Sequence, residues 1–300
     1  MKFRAHDTFF IRKGWLSKGL KSILTNQYVF MGFDEAGNKV NPMDALGIGA
    51  NMVKSLRYWL QAVGLTEEVL IAGRKSQQLT TLGKLVHDND PYIEELGTLC
   101  LLHHQLCMNR EFVTAWYFFF NEFSLKHFSK DDFLTAITGY IKMNEDDSVS
   151  PRSLEDDFNC IIDTYISRER RGSTKTSPEN NIDCPFGELE LLDIDNKKAR
   201  TYKKRSAGRN TLPPLVALAI ITHQSENERE LAISALLNKA NSIGRLFNLD
   251  TISLSAMLTE LENHGYVKVI RTAGLDVVRL TSDLSYLLCI EKYYEAISRG

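Results

Sequence analysis

A helix, a glycine stop and two short strands are written twice in this chain, once near each end. That repetition limits the available folds more than any other feature. The first copy begins at Asn41-Pro42-Met43-Asp44-Ala45-Leu46-Gly47-Ile48-Gly49-Ala50-Asn51 and runs to Thr66. Met43 to Leu46 can form a short apolar helical turn, Gly47 and Gly49 supply a tight bend, and Asn51 is placed to cap the next helix. In that helix Val53, Leu56, Leu60 and Val63 recur at helical spacing and are expected inside, leaving Lys54, Arg57, Tyr58 and Gln61 outward. Gly64 suits a helix C′ position, and apolar runs follow around Glu68 to Ala72 and Gln78 to Leu82, with Gly73-Arg74-Lys75-Ser76 as a basic turn between them. The second copy has a helix capped by Ser253 and running to His264, then Gly265, a strand over Tyr266 to Arg271, a turn at Ala273-Gly274 and a return over Leu275 to Leu280. Gly64-Leu65 finds its counterpart in Gly265-Tyr266, and Gln78-Leu79-Thr80 in Arg279-Leu280-Thr281.

A helix followed by a glycine stop and a two-stranded hairpin is the plan of a winged helix, whose second helix lies in the DNA major groove with its hairpin near phosphates. In the first copy Asn51, Lys54, Arg57, Tyr58 and Gln61, with Arg74 and Lys75 on the hairpin, are side-chain types that touch phosphates and base edges. The second copy offers Ser255, Thr259, Glu260 and Glu262 instead, and reads as a packing or partner surface. Winged helices also serve as protein-interaction modules, so the pattern alone leaves a scaffold without DNA contact open.

Between the copies the chain is helical. Phe9 to Leu24 reads as a first helix beneath the helix-turn-helix, Asp90-Pro91 starts another through Leu106, Phe112 to Phe123 is an aromatic core segment, and Ser129 and Ser150 open two more, ending near Ser167. Arg168 to Leu212 then changes to charges in blocks: Arg168, Arg170, Arg171 and Lys175, an acidic stretch from Asp183 to Asp195, and seven basic residues without an acid from Lys197 to Arg209. Such alternation reads as exposed loop, either a solvated linker or a phosphate-contacting arm through Lys203, Lys204 and Arg205. The fold class is therefore mainly α with small β wings (α+β), two winged-helix modules flanking a helical middle. Boundaries are expected at 1–90, 91–167, 168–212 and 213–300.

Composition sets outer limits. With 300 residues, 43% of them hydrophobic, the chain can bury substantial cores, and a net charge of −2 excludes an indiscriminate polyanion binder. No signal-peptide core or transmembrane run is present, which points to a cytoplasmic protein without a membrane partner. Five cysteines with no Cys-x-x-Cys pair suit reduced thiols rather than disulfides or a zinc knuckle.

Chemistry is written less clearly. Gly47-x-Gly49 lacks the ending of a Walker motif and the strand of a dinucleotide fold. His6, Asp7 and Arg12 bring an imidazole, a carboxylate and a guanidinium within seven residues, a candidate base, orienter and phosphate clamp, or else an anchor for the first helix. Asp183, Glu188 and Glu190 offer donors for Mg²⁺, or only a surface acidic stretch. His103-His104 lies on an apolar helix, where core histidines are commoner than ligands.

Several separated stretches carry a family resemblance. They are His6-Asp7-Thr8-Phe9 with Arg12, Gly14, Trp15 and Leu16; Leu46 to Val53 followed by Leu56, Arg57, Trp59 and Gly64-Leu65; and Thr98 to His103, Thr114 to Tyr117 and Cys184-Pro185 to Glu188. Together they resemble the bacterial domain-of-unknown-function 4007 family, which includes the SspB-type components of DNA phosphorothioation systems. The match departs at Ala50, where the family typically carries lysine, and at Asp7, where it carries glutamate; Lys54 and Arg57 are the cations one turn on. The resemblance implies a double-stranded-DNA-binding, DNA-nicking subunit of a phosphorothioation or antiphage system, using Mg²⁺ or Mn²⁺. Its implied partners are a cysteine desulfurase, an ATP pyrophosphatase-like protein and an ATPase. The alternative is a non-enzymatic DNA-binding adaptor or transcriptional regulator.

Overall fold

In a computed structural model the chain is described over residues 1–144, 149–167, 183–208, 210–226, 228–272 and 275–299. The basic block Arg168 to Lys175, Arg209 and the Ala273-Gly274 turn lie outside these residues. The architecture is α+β, mainly helical, with three small antiparallel sheets of order β1-β2, β3-β5-β4 and β6-β8-β7.

The N-terminal region contains α1 (Trp15–Thr25), α2 (Pro42–Leu46), α3 (Ala50–Ala62), β1 (Thr66–Ile71), β2 (Arg74–Leu79) and α4 (Thr81–Asn89). Helix α1 starts later than its sequence suggests, because Gly14 ahead of it takes a left-handed φ of 82°. The C-terminal region contains α9 (Pro214–Gln224), β6 (Glu230–Ala232), α10 (Ile233–Asn238), α11 (Ile243–Leu246), α12 (Thr251–Asn263), β7 (Val267–Thr272), β8 (Leu275–Leu280) and α13 (Tyr286–Ser298). Helices α3 and α12, strands β1 and β7, and strands β2 and β8 each start and stop 201 positions apart, 251 against 50 and so on without insertion. The same spacing relates Gly64 (φ 71°) to Gly265 (φ 74°), both helix stops in the left-handed region that glycine enters at no steric cost.

The two copies also share their hydrogen bonds. After each stop a backbone N–H reaches back five residues, Leu65 to Leu60 O and Tyr266 to Leu261 O, each at 3.0 Å. Thr80 Oγ1 donates to Gly64 O at 2.7 Å, and Thr281 Oγ1 to Gly265 O at 2.7 Å, fastening the returning strand to the end of its helix. What differs is the position equivalent to β6: in the first copy it is a 3-10 turn, Val29–Met31, so the first sheet has two strands and the second three.

The middle holds α5 (Leu96–Met108), α6 (Thr114–Tyr117) continuing into a π-helical turn (Phe118–Glu122), β3 (His127–Phe128), α7 (Lys130–Asn144), α8 (Pro151–Tyr165), β4 (Leu192–Asn196) and β5 (Thr201–Lys204). Helix α5 starts at Leu96 rather than at Asp90-Pro91, because the Asp90 carboxylate accepts the Glu94 and Glu95 N–H groups in a turn before it. Phe119, Phe120, Phe128, Phe133 and Phe158 form a buried aromatic core. Within the segment expected as exposed loop, Leu192 to Lys204 form a β-hairpin: β5 pairs with both β4 and β3, and Tyr202 packs its ring against Phe128 and Phe158. Apolar contact is continuous from Phe10 to Tyr294. The second copy is tied to α5 by Tyr293 and Tyr294 hydroxyls, at the Gly97 N–H and Thr98 Oγ1.

All five cysteines are free and buried. Among the described residues no helix is long and apolar enough to cross a membrane.

Candidate nucleic-acid interface

Helix α3 offers fewer free groups than its sequence suggests. Val53, Leu56, Leu60 and Val63 are buried as their spacing requires, but the buried face is wider, taking in Ser55, Tyr58, Trp59 and Ala62. Trp59 Nε1 donates to Phe9 O at 2.8 Å, because the N-terminal strand of chain covers this second side of the helix. Tyr58 therefore does not point outward. Its ring packs 5.0 Å from Phe112, its hydroxyl donates to Phe112 O at 3.3 Å, and burial pushes its phenol pKa well up. Asn51 is exposed in the first helical turn and is not the cap; Gly49 holds that position, without a side-chain bond.

Arg57 and Gln61 stay at the surface but are already engaged. A single oxygen, Glu68 Oε1 on β1, accepts from Arg57 Nε at 2.8 Å, Arg57 Nη2 at 2.7 Å and Gln61 Nε2 at 2.9 Å. Helix and hairpin are locked together by this one carboxylate, which also neutralises the guanidinium. Lys54 is exposed.

The hairpin turns two residues earlier than expected. Ala72 (φ 47°) and Gly73 (φ 79°) form its tip, so Arg74 and Lys75 open β2 and stand exposed on the strand. They border a cavity of about 400 Å³ lined also by Tyr28, Met31, Phe33 and Gly37. A Cβ on Gly37 would lie 3.1 Å from Arg74 Nη1, so the absent side chain is what lets the guanidinium rest on this loop. Phe33 leaves an aromatic surface 43% exposed beside these two cations.

The N-terminal constellation is arranged differently from the sequence pattern. His6 is buried, stacked on Trp59 at 5.7 Å and edge-on to Trp116. Its Nε2 lies 2.7 Å from Asp157 Oδ1 on α8, and its Nδ1 accepts the Thr8 N–H. The carboxylate partner is thus Asp157, not Asp7, and both ring nitrogens are occupied. Asp157 also accepts the Arg4 N–H, and burial raises its pKa against the opposing pull of His6. Arg12 sets its guanidinium 5.3 Å from the Trp15 ring. Asp157 carries a sequence signal after all: with Leu154, Phe158 and Ile161 it occupies the buried stripe of α8, where an acid implies a partner.

In the basic hairpin, Arg205 pairs with Asp193 at 3.5 Å and Glu190 at 3.8 Å, and Lys203 lies opposite Asp193 in the β4–β5 register. Lys204 turns inward: its Nζ donates to Phe119 O at 2.6 Å and Phe123 O at 2.5 Å, among three phenylalanine rings. Burial, with Arg245 nearby, lowers its pKa to about 7. Lys204 is therefore no part of an exposed phosphate-contacting arm: it points inward and caps the carbonyls at the end of the π-helical turn.

Asp183, Glu188 and Glu190 do not converge, and among the described residues no group of three His, Cys, Asp or Glu side chains is placed to hold a metal ion. His103 and His104 are core histidines, as their helix suggests. His103 bonds Tyr165 and Leu246 O, and burial holds the two rings neutral, with pKa values lowered to about 4 and 3.

Fold and surface define a protein with a duplicated helix and hairpin, in which the first copy exposes Lys54, Arg74 and Lys75 and the second Lys268, Arg271 and Arg279. The family model described as protein of unknown function (DUF4007) matches residues 3–294, and the chain belongs to that family. No curated protein matches the sequence. Two solved structures are similar in fold over the whole chain and 89% of their own. One is a magnesium-ion-bound SspB (TM-score 0.84, 24% identity) and the other an SspB crystal structure (TM-score 0.82, 25% identity).

Proposed function

We propose that this protein is a DNA-binding component of a bacterial DNA phosphorothioation or antiphage system, reading duplex DNA through a winged-helix module in its first copy. The observation that carries this reading is the difference between the two matched helices, α3 and α12. At equivalent positions the first copy has Lys54 and Arg57 where the second has Ser255 and Leu258, on a shared backbone plan. Lys54 and Asn51 face a groove from α3, while Arg74 and Lys75 meet phosphates from the hairpin. The cavity beside them, with Phe33 and Tyr28, offers aromatic faces next to cations, a chemistry that suits an unstacked base.

Nicking of DNA, to open a strand for sulfur exchange, is the activity that the likeness to SspB suggests. One of those SspB structures is magnesium-bound, whereas the described residues of this chain supply no clustered donor set for the ion. The sealed His6 favours a second reading, a non-enzymatic DNA-binding adaptor or regulator, since a ring with both nitrogens engaged has no site for a substrate proton. One experiment separates them: supercoiled plasmid incubated with pure protein and Mg²⁺ or Mn²⁺. Open-circular product supports the nickase, salt-dependent binding without it supports the adaptor, and no binding at all refutes both.

A further inference from the structure

We propose that the cavity enclosed by β5, α11 and the Ser124–Lys126 segment is a binding site for a dianionic phosphoryl group, with Lys204, Lys126 and Arg245 as its cations. The cavity holds about 240 Å³ and lies between the middle region and the second copy, with no lining residue from α3 or its hairpin.

Lys204 is the reason to look there. Its ammonium has three N–H bonds, of which two are committed to Phe119 O and Phe123 O, and among the described residues no carboxylate pairs with it. A buried cation without a counter-ion is unfavourable unless an anion arrives or a proton leaves. The lining contains further cations, Lys126 and Arg245, from two other segments; its polar Ser206 and Asn248 are engaged with Ser253 Oγ and with Leu191 O and Arg205 O and shape the wall. Its one acid is Asp250, whose carboxylate is committed to capping α12 through the Ser253 N–H at 2.7 Å. Lys126 and Arg245 against Asp250 leave one positive charge, and Lys204 makes it two once an arriving dianion restores its proton. At about 30 Å³ per water, the space takes roughly eight waters, enough for a phosphoryl group and the start of an ester.

The duplication shows that this chemistry is not inherited from the shared plan. Counterparts of Arg245 and Asp250 in the first copy are Asp44 and Gly49, so the equivalent place there has neither the cation nor the capping acid. The lowered pKa of Lys204 agrees with a site whose counter-charge comes from outside: an arriving dianion restores the proton that burial and Arg245 push away.

The test titrates inorganic phosphate into the full-length protein at pH 7 and constant ionic strength, by calorimetry and by melting temperature, with chloride as control. Saturable heat and a rising melting temperature with phosphate, but not chloride, are expected. Lys126→Gln and Arg245→Gln, both remote from the core, should each weaken binding about tenfold, the effect of one charged hydrogen bond. Lys204→Met removes a buried cap and can fail to fold, so the surface pair carries the decision. A phosphate response absent from the parent, or unchanged in the Lys126→Gln/Arg245→Gln protein, overturns the proposal. Competition with a short oligonucleotide, with and without a 5′-phosphate, identifies the source. Displacement only by the phosphorylated strand assigns a terminal monoester, whereas displacement by both shows that a monoanionic diester suffices and overturns the dianion assignment. Loss of duplex binding through Lys54→Ala leaves this result untouched, so the two readings fail separately.

Discussion

Glu68 is the residue whose removal should improve DNA binding. Its single oxygen holds the Arg57 guanidinium by two nitrogens and Gln61 by a third contact, with the Arg57 and Glu68 side chains about a quarter to a third exposed. At that exposure solvent screens the pair, and Glu68→Ala should cost about 1 kcal/mol or less, lowering the melting temperature by roughly 2 °C in a chain this long. The freed guanidinium can then neutralise one further phosphate. Each such contact adds about 0.9 to the slope of log affinity against log salt, which at 0.1 M amounts to roughly an eightfold gain over the parent. Fluorescence anisotropy of a labelled duplex between 50 and 200 mM salt measures both quantities. A Glu68→Ala protein with parental affinity and parental slope would show that the α3 face meets no phosphate, and the proposed interface would fall.

Lys54→Ala should weaken duplex binding severalfold and flatten the salt slope by about one with the melting temperature unchanged, whereas Leu56→Ala, a truncation in the core, should cost about 2 to 5 kcal/mol in a denaturant titration. Tyr58→Phe should leave anisotropy unaltered, since the phenol lies inside against Phe112; a loss of affinity would mean that Tyr58 reaches DNA after all. His6→Ala should strand the Asp157 carboxylate and destabilise the fold by about 3 to 5 kcal/mol; a variant melting like the parent but unable to nick plasmid would restore His6 to a catalytic role. For Lys204 the folded pKa of about 7 lies below the ordinary 10.5, so the unfolded chain binds more protons between those values and stability should rise with pH from 7 upward. Melting curves between pH 7 and 8, where most unfolded cysteines are still thiols, should show a steeper rise in the parent than in a folded Lys204→Met protein, a comparison in which the shared cysteine and histidine contributions cancel.

What could be read from the chain was what is local. Gly64 and Gly265 announce their helix ends because a left-handed stop is a property of one residue, and Thr80 and Thr281 follow because the hairpin length between them is fixed. The family was legible too, and its model matches residues 3–294. Tyr58 was misjudged because periodicity assigns one buried stripe, while α3 is covered on a second side by the N-terminal chain, a partnership no window can contain. His6 posed the same problem at greater range: its carboxylate stands 151 positions away, while Asp7 next door draws attention by proximity alone. Lys204 sat in a run that looked solvated by composition. The strand period corrects this, because Tyr202 marks the inward face of β5 and Lys204, two residues on, must share it.

The duplication separates what holds a module together from what a module does. Between the copies the retained features are backbone devices: the glycine stop, the five-residue return bond, the threonine that fastens strand to helix, and equal lengths of the helix and of both hairpin strands. These fix the fold without constraining the outward side chains, so charge was free to move. In the first copy the cations Lys54 and Arg57 lie on the second helix and Arg74 and Lys75 on the hairpin, with Glu68 restraining one of them. In the second copy the helix has no cation, the hairpin has Lys268, Arg271 and Arg279, and Arg245 ahead of the helix meets Lys126 and Lys204 from the middle of the chain around a recessed cavity. An exposed row of cations suits the regular charge of a duplex, which presents phosphates at fixed spacing. A recessed cluster with a buried ammonium suits a single group that enters and is desolvated. One backbone plan thus carries two electrostatic designs, and the difference between a surface and a cavity is what makes the two binding readings independently testable.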